Sequence, residues 1–282
     1  MHTLQGVERE FDSGYHRRAY RRLVADHPDE SVYPIESFRV EWGPVFHRGR
    51  LDGTARVLVI GQDPAAHEAI VRRILVGEAG QRAQGLLARL GIDRSYVFVN
   101  AFLYSVYGSG GAKHVDDPDL AGYRNQWIDA IVADQPIEAI ISLGQLADTS
   151  YQMWRATATG SVSTAAYANG RHPTYPESAS RSGAITKAAA FAELCRSWNA
   201  ILDELRPVIT PDVEVPPSSY GVRITDRDLA PIPSRDLPHG VPEWMGGLDA
   251  WAVRKGATKQ LKRASITVTV PAKARGWPPV AE

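Results

Sequence analysis

The sequence has almost no cysteine. Of its 282 residues only Cys195 carries a thiol, which excludes a disulfide framework within the chain and any zinc or iron–sulfur centre built on several thiolates. A chain so poor in thiols fits a reducing compartment, and we expect a cytoplasmic protein. No apolar signal core follows Met1, and no apolar run reaches the length of a membrane span. We therefore expect no association with a membrane.

Net charge is also lacking, because 32 Lys and Arg residues balance 32 Asp and Glu residues. A protein of this charge can bind nucleic acid only through a local basic face. Residues 16–22 offer one, since Arg17 lies on the same side of a predicted helix as Arg21, and Arg18 as Arg22. A solvated surface face and a phosphate-binding face explain this pattern equally well.

A second basic stretch lies near the C-terminus. Residues 251–275 contain no acidic side chain and seven basic ones: Arg254, Lys255, Lys259, Lys262, Arg263, Lys273 and Arg275. The alternation of apolar residues with threonine over 266–270 predicts a strand. We favour a C-terminal arm that packs across the domain with its lysines in solvent. The alternative is a basic hairpin that contacts DNA phosphates.

From residue 57 onward, apolar runs alternate with amphipathic stretches. The pattern predicts strands over 57–61, 96–100, 137–143 and, more weakly, 162–167, with helices near 78–91, after Pro118, near 145–155 and over 186–205. Strands that alternate with helices indicate a parallel sheet with right-handed crossovers. We therefore predict an α/β fold for residues 1–206, a three-layer α/β/α sandwich around a central four-stranded, mainly parallel sheet.

The character of the chain changes after Pro207. Residues 207–282 hold 11 of the 19 prolines, and the segment up to about Trp244 is predicted to be extended and irregular. We predict that residues 207–282 form a Pro-rich and basic C-terminal extension that packs on the core.

Three polar side chains lie at or just beyond the ends of predicted strands. Asp63 follows the first strand, Asn100 ends the second, and His172 follows the weak fourth one. The carboxyl ends of parallel strands converge on one crevice, where ligands bind in open α/β sheets. Singly, the three could be a helix cap, a turn residue and a loop histidine. No glycine-rich nucleotide-binding motif follows the first strand, which argues against an enzyme of free nucleotides.

This ordered set resembles the uracil-DNA glycosylase superfamily. Gly61-Gln62-Asp63-Pro64 matches the first four residues of motif A in family 1 of this superfamily, which contains the classical uracil-DNA glycosylases. Residues 98–101 resemble its uracil-reading strand, and residues 172–174 resemble its motif B. Residues 72–81 resemble, without a gap, the Gly-Arg-Pro-Phe-Val-Gly-Arg-Ala-Gly-Gln block of the fourth family. The likeness covers about residues 50–205.

The resemblance implies that Asp63 and His172 are catalytic and that the substrate is bound by Gly61, Gln62, Pro64, Leu75 and Asn100. Asp63 stabilises the cationic sugar and orients the attacking water. His172 donates a hydrogen bond to the uracil oxygen as negative charge develops there, and the Gln62 backbone amide is a second donor. Asn100 reads the donor–acceptor edge of uracil and rejects cytosine. Leu75 stands where the family has an aromatic residue that stacks on uracil.

The resemblance also implies a DNA partner. The base must be flipped out of the DNA to reach the crevice. The residues around motif B are expected to contact the DNA, and those from Thr174 to Pro176 could fill the vacated stack; the set is Arg171, Pro173, Thr174, Tyr175 and Pro176.

The implied function is that of a monofunctional uracil-DNA glycosylase without metal or cofactor. We expect it to act as a monomer on uracil-containing DNA and to be associated with the nucleoid when bound there. The alternative is a module that binds uracil or abasic sites tightly with little turnover.

The sequence departs from the family pattern at several positions. Ala65 and Ala66 stand where the first family has a Tyr and a His, and that Tyr excludes the methyl group of thymine. Discrimination against thymine is therefore expected to be weaker or to come from elsewhere. The iron–sulfur cysteines of the fourth family are absent. Residues 72–74 resemble a subfamily that is trapped covalently on abasic DNA, but its bond-forming histidine has no match, so we expect no trapping. His67 and Glu68 are interpreted as polar loop residues.

Overall fold

The computed structural model describes residues 9–108, 110–248 and 250–274. The strands are β1 (Arg48–Gly49), β2 (Val57–Gly61), β3 (Tyr96–Asn100), β4 (Ala139–Leu143), β5 (Ala166–Gly170), β6 (Ala252–Val253) and β7 (Thr267–Val268). The α-helices are α1 (Arg18–Ala25), α2 (Ala66–Val71), α3 (Glu78–Arg89), α4 (Pro118–Asp134), α5 (Gln145–Arg155), α6 (Ala158–Ser161), α7 (Tyr175–Ala179), α8 (Lys187–Leu205) and α9 (Lys259–Ala264).

The central sheet has the strand order β1-β3-β2-β4-β5. Strand β2 pairs in parallel with β3 and β4, and β4 pairs in parallel with β5. The α/β class and the mainly parallel sheet are thus confirmed. The predicted number of four strands is wrong, because β1 adds a fifth, antiparallel strand at the edge. Its two residues, Arg48 and Gly49, carry no apolar pattern that could have revealed it.

Strands β2, β3 and β4 are buried on both faces. Leu58 and Ile60 belong to one hydrophobic cluster, which also contains residues of α1, α4 and α5. Val57 and Val59 belong to a second cluster, which contains residues of α3 and α8. Burial on both sides explains why β2 is a continuous apolar run instead of an alternating one.

Two long helices begin at residues that cap them. The Asp117 carboxylate accepts hydrogen bonds from the first-turn amides of α4, and Pro118 occupies the first helical position, where no amide hydrogen is needed. The Thr186 side chain accepts a hydrogen bond from the Ala189 amide at the start of α8. These caps satisfy first-turn amides that have no partner within the helix, and they fix the residue at which each helix begins.

The chain after residue 207 returns to the edge of the sheet. Asp236 is fully buried, and its carboxylate accepts hydrogen bonds from Arg48 Nη1 at 2.8 Å, Arg50 Nη2 at 2.8 Å and Tyr96 Oη at 2.6 Å. Arg48 is itself fully buried. A buried ion pair is tolerated when its remaining hydrogen-bonding capacity is used, and three donors meet that condition for Asp236.

Replacing Asp236 with Asn should destabilise the protein strongly. The substitution keeps the shape of the side chain but leaves the buried Arg48 guanidinium without a counter-charge. We expect the free energy of unfolding in urea to fall by about 3–5 kcal/mol.

The exposed Arg22–Asp26 pair on α1 provides the control. Arg22→Ala should lower the free energy of unfolding by about 0.5 kcal/mol or less, because solvent screens this pair. Equal losses in the two variants would contradict a structural role for the buried pair.

Candidate functional site

The carboxyl ends of β2 and β3 meet at Gly61 and Asn100, which are partners in the parallel register. A Cβ atom at Gly61 would lie 2.4 Å from Asn100 Oδ1, so only glycine leaves room for this amide. Asn100 Oδ1 is buried and has no hydrogen-bond partner within the described part of the chain. An unpaired buried polar atom costs roughly 1–3 kcal/mol. A bound ligand that donates a hydrogen bond would satisfy this oxygen, whereas the fold itself gains no stability from leaving it unpaired.

Leu75 lies against this pair of strand ends. Its Cδ1 atom is 3.6 Å from the position that a Gly61 Cβ atom would take. Leu75 has a φ of 51°, in the left-handed region, which costs a residue with a side chain roughly 1–2 kcal/mol. Gly80 makes this backbone possible, since a Cβ atom there would lie 1.5 Å from the Leu75 carbonyl oxygen. The loop therefore holds Leu75 over Gly61 at a conformational cost.

Asp63 lies just beyond β2 and is partly buried. Its Oδ2 atom accepts a hydrogen bond from the Val106 amide at 3.0 Å. Burial raises the pKa of Asp63 to about 6, and the nearby Glu68 carboxylate adds to the rise. The Val106 hydrogen bond and the charges of Arg39 and Arg254 act in the opposite direction. Asp63 is therefore mainly ionised at neutral pH but close to its titration range.

Glu68 fixes the turn that follows Asp63. The interpretation of His67 and Glu68 as polar loop residues is wrong, because both lie in α2 and Glu68 is buried there. Its Oε2 atom accepts a hydrogen bond from the Ala65 amide at 3.0 Å, and its Oε1 atom accepts one from the Val76 amide at 3.1 Å. Through these bonds Glu68 joins the turn containing the buried Pro64 to the loop before α3.

His172 follows β5 and turns its Nδ1 atom toward Thr174. The Thr174 amide donates a hydrogen bond to His172 Nδ1 at 3.2 Å, and Thr174 Oγ1 lies 2.9 Å from the same atom. A ring nitrogen that accepts leaves the hydrogen of the neutral imidazole on Nε2. Burial and the positive charge of Arg82 lower the pKa of His172 to about 4. At neutral pH His172 is thus an uncharged hydrogen-bond donor.

Gly144 lies where the Gln62 side chain and His172 approach each other. It lies between β4 and α5 with a φ of +98°, and a Cβ atom there would lie 2.5 Å from Gln62 Nε2 and 2.9 Å from His172 Cβ. The Gln62 side chain and His172 therefore pack against the same glycine. The sheet order places β2 between β3 and β4, so Asp63, Asn100 and His172 all lie along one carboxyl edge of the sheet.

Arg82 holds the loop that carries His172. It is buried in α3, and its Nη1 atom donates a hydrogen bond to the Pro173 carbonyl at 2.5 Å. Both of its terminal nitrogens also bond to Glu177 of α7, each at 3.0 Å. The sequence carries no signal for this contact, because Glu177 lies 95 residues away along the chain.

Of the five residues expected to contact DNA, one is exposed, two (Thr174 and Tyr175) are half-buried and two are buried. Arg171 is exposed, and its guanidinium carbon lies 4.6 Å from the centre of the Tyr175 ring. Tyr175 Oη donates a hydrogen bond to Glu193 at 2.5 Å. Pro173 and Pro176 are buried. Arg171 and Tyr175 thus form the surface beside His172, and contact with DNA stays a prediction for the whole set.

The chain matches no model of a known protein family, and no curated protein matches it. Within the described ranges, no group of three or more His, Cys, Asp or Glu side chains is placed to hold a metal ion. None of the helices in that part of the chain combines the length and apolar character that crossing a bilayer requires. The functional assignment therefore depends on the geometry of the site.

Replacing Asp63 with Asn should stabilise the protein at neutral pH. A carboxyl whose pKa is higher in the folded state than in the unfolded chain destabilises the fold once the pH rises above its ordinary value of 3.8. Asn keeps an acceptor for the Val106 amide and removes the charge. We expect the free energy of unfolding to rise by about 1–2 kcal/mol at pH 8 and the difference to vanish near pH 3.

Asp212→Asn is the matched control with the opposite sign. Asp212 Oδ2 accepts hydrogen bonds from the Asp93, Arg94 and Ser95 amides, and its pKa is lowered in spite of burial. This variant should therefore lose stability at neutral pH. A loss of stability in Asp63→Asn as well would contradict the raised pKa of Asp63.

Proposed function

We propose that this protein is a uracil-DNA glycosylase, which hydrolyses the N-glycosidic bond of deoxyuridine in DNA and leaves an abasic site. One observation carries the proposal. An ionisable carboxylate at Asp63, a neutral imidazole at His172 and an unpaired amide oxygen at Asn100 lie along the same carboxyl edge of the sheet.

Cleavage of this bond develops positive charge on the deoxyribose and negative charge on the base. Most glycoside hydrolases need a second carboxyl group to protonate a sugar leaving group. Uracil leaves as a delocalised anion, so a single carboxylate is sufficient. Ionised Asp63 stabilises the sugar cation and orients the water that bonds to C1′ as the bond to the base breaks. The proton that this water loses passes to solvent, and solvent protonates the released uracil anion. The Val106 amide fixes the orientation of the Asp63 carboxylate.

His172 serves the other half of the charge separation. Its Nε2–H group donates to the uracil oxygen and stabilises the negative charge as it develops, in the manner of an oxyanion hole. A neutral imidazole can perform this role because its Nε2–H group donates a hydrogen bond and keeps its proton. Arg82 positions the ring by holding the Pro173 carbonyl, and the Gln62 backbone amide is the second donor.

Asn100 provides the specificity for uracil. Its amide oxygen accepts from the N3–H group of uracil while its amide nitrogen donates to the O4 atom. Cytosine presents the reversed pattern and would leave buried polar groups unpaired, which a polar site rejects strongly. Leu75 and Gly61 provide the apolar surface against which the base packs.

The same proposal includes the layer architecture, the oligomeric state and the path of the DNA. We infer a three-layer α/β/α sandwich, supported by separate hydrophobic clusters on the two faces of the sheet. The protein acts as a monomer on uracil-containing DNA in the cytoplasm, at the nucleoid. The DNA lies across the surface formed by Arg171 and Tyr175, from which a flipped nucleotide reaches the site.

The purified full chain should release uracil from a uracil-containing oligonucleotide in the presence of EDTA. Asp63→Asn should lower the single-turnover rate constant by about 10²-fold or more, because it removes the charge opposite the sugar cation. Asp203→Asn, an exposed carboxyl on α8, is the control and should leave the rate unchanged. Undiminished release by Asp63→Asn would remove the mechanism. Release of one uracil per protein without further turnover would favour the damage-binding alternative.

The rate of uracil release should depend on pH through Asp63. We expect a single acid limb with a midpoint at about pH 6 and a plateau above pH 7, since the carboxylate must be ionised. His172 adds no limb near neutrality because it is already uncharged there. The measurement is a single-turnover rate profile from pH 4.5 to 9. A rate that stays flat down to about pH 5, as an aspartate of ordinary pKa would give, would contradict the role assigned to the burial of Asp63.

A further inference from the structure

The C-terminal hairpin of β6 and β7 docks beside the candidate site. The Ala252 amide donates a hydrogen bond to His67 Nε2 at 3.2 Å, and the Trp251 ring contacts the His67 ring edge-on with centroids 4.7 Å apart. Trp251 is buried, and its Nε1 atom donates to the Met245 carbonyl at 3.0 Å. His67 lies in α2, four residues after Asp63. The hairpin is thus anchored to the helix that leaves the site.

Arg254 follows β6 directly and is exposed. Its positive charge lies close enough to the Asp63 carboxylate to lower the pKa of that group, as does the charge of Arg39. Arg39 is already engaged, because it is buried, donates to Ser105 Oγ at 3.0 Å and stacks on the Tyr107 ring. Arg254 forms no ion pair with any carboxylate of the described chain.

Arg254 lies in a basic segment of the chain. From residue 251 to residue 274 the sequence contains basic side chains and no acidic one. Arg254 is exposed, forms no ion pair within the described chain, and lies two residues after Ala252, which docks on α2 next to the candidate site. A guanidinium in this position is suited to bind an anion that arrives with the substrate. In a nucleic acid that anion is a backbone phosphate, which a guanidinium can bind through two parallel hydrogen bonds.

We propose that Arg254 binds the DNA phosphate next to the flipped deoxyuridine, and that the β6–β7 hairpin holds it at the mouth of the site. This inference rests on the proposed glycosylase function. It assigns to Arg254 a binding and positioning role, in which the phosphate fixes the sugar over Asp63. Among the described residues, the charged side chains with the largest effect on Asp63 are Glu68 of α2, Arg39 of the segment before β1, and Arg254 of the hairpin.

The test compares proteins with and without the Arg254→Gln substitution. Binding to a fluorescent uracil-containing oligonucleotide is measured at several salt concentrations, with Asp63→Asn present in both proteins so that the DNA stays intact. Loss of one phosphate contact should weaken binding about 10-fold at 0.1 M salt and reduce the slope of log Kd against log salt by about 1. In the proteins that retain Asp63, KM should rise by a similar factor while kcat changes less than about 3-fold.

Two further variants separate a phosphate contact from a structural effect. Arg254→Lys keeps the charge and should retain the wild-type salt slope. Arg94→Gln removes an exposed guanidinium that precedes β3, at the amino ends of the strands and therefore opposite the candidate site. This variant should change neither Kd nor the slope. Truncation before Trp251 is less suitable, because it would also remove the packing against α2.

The outcomes distinguish this inference from the function on which it rests. An unchanged Kd and salt slope in Arg254→Gln would overturn the role of Arg254 while uracil release by the wild-type protein continued to stand. Loss of slope in Arg254→Lys to the same extent as in Arg254→Gln would assign the effect to the hairpin's structure and also overturn it. Absence of uracil release by the wild-type protein would overturn the glycosylase function, whatever the salt slope shows.

Discussion

The parallel pairing of β2 with β3 and β4 is the constraint on which the site depends. This register sets Gly61 opposite Asn100, and β4 is followed directly by Gly144, against which the Gln62 and His172 side chains pack. A slip of one residue would turn Asn100 to the other face of the sheet. Glycine stands at both points because each leaves space for a polar side chain from another part of the chain.

Burial shifts the pKa values of Asp63 and His172 in opposite directions. Removal from water disfavours charge, so it raises the pKa of Asp63 and lowers that of His172. Near neutral pH the site then contains a carboxylate and an uncharged imidazole. These two cannot neutralise each other as an ion pair would. Each keeps its own capacity to stabilise charge, the carboxylate toward a cation and the imidazole toward an anion.

The sequence predicted the parts of the fold that depend on local pattern. β2 and β3 were placed at their observed bounds, and β4 begins two residues later than predicted. Strand β5 was placed near 162–167 but lies at Ala166–Gly170, because Ala and Gly give this strand little β-propensity and its burial comes from neighbours. The short β1 has no pattern of its own and forms by pairing with β3.

The candidate site was only partly visible in the sequence for a related reason. Asp63, Asn100 and His172 follow predicted strands, so topology alone placed them at one edge. Glu68 and Arg82 act through partners that are distant in sequence or belong to the backbone, and no local pattern reports such contacts. The same holds for Arg254, whose position depends on the docking of Ala252 on His67.

The buried pair of Arg48 and Asp236 has a consequence for synthesis on the ribosome. The two residues are 188 positions apart, so the first is translated long before its counter-ion exists. Until then the edge of the nascent sheet must keep a guanidinium in water, and β1 cannot settle permanently against β3. We therefore expect the domain to be completed only after the segment around Asp236 has left the exit tunnel. Such dependence on distant pairing is the property that slows folding in chains of high contact order.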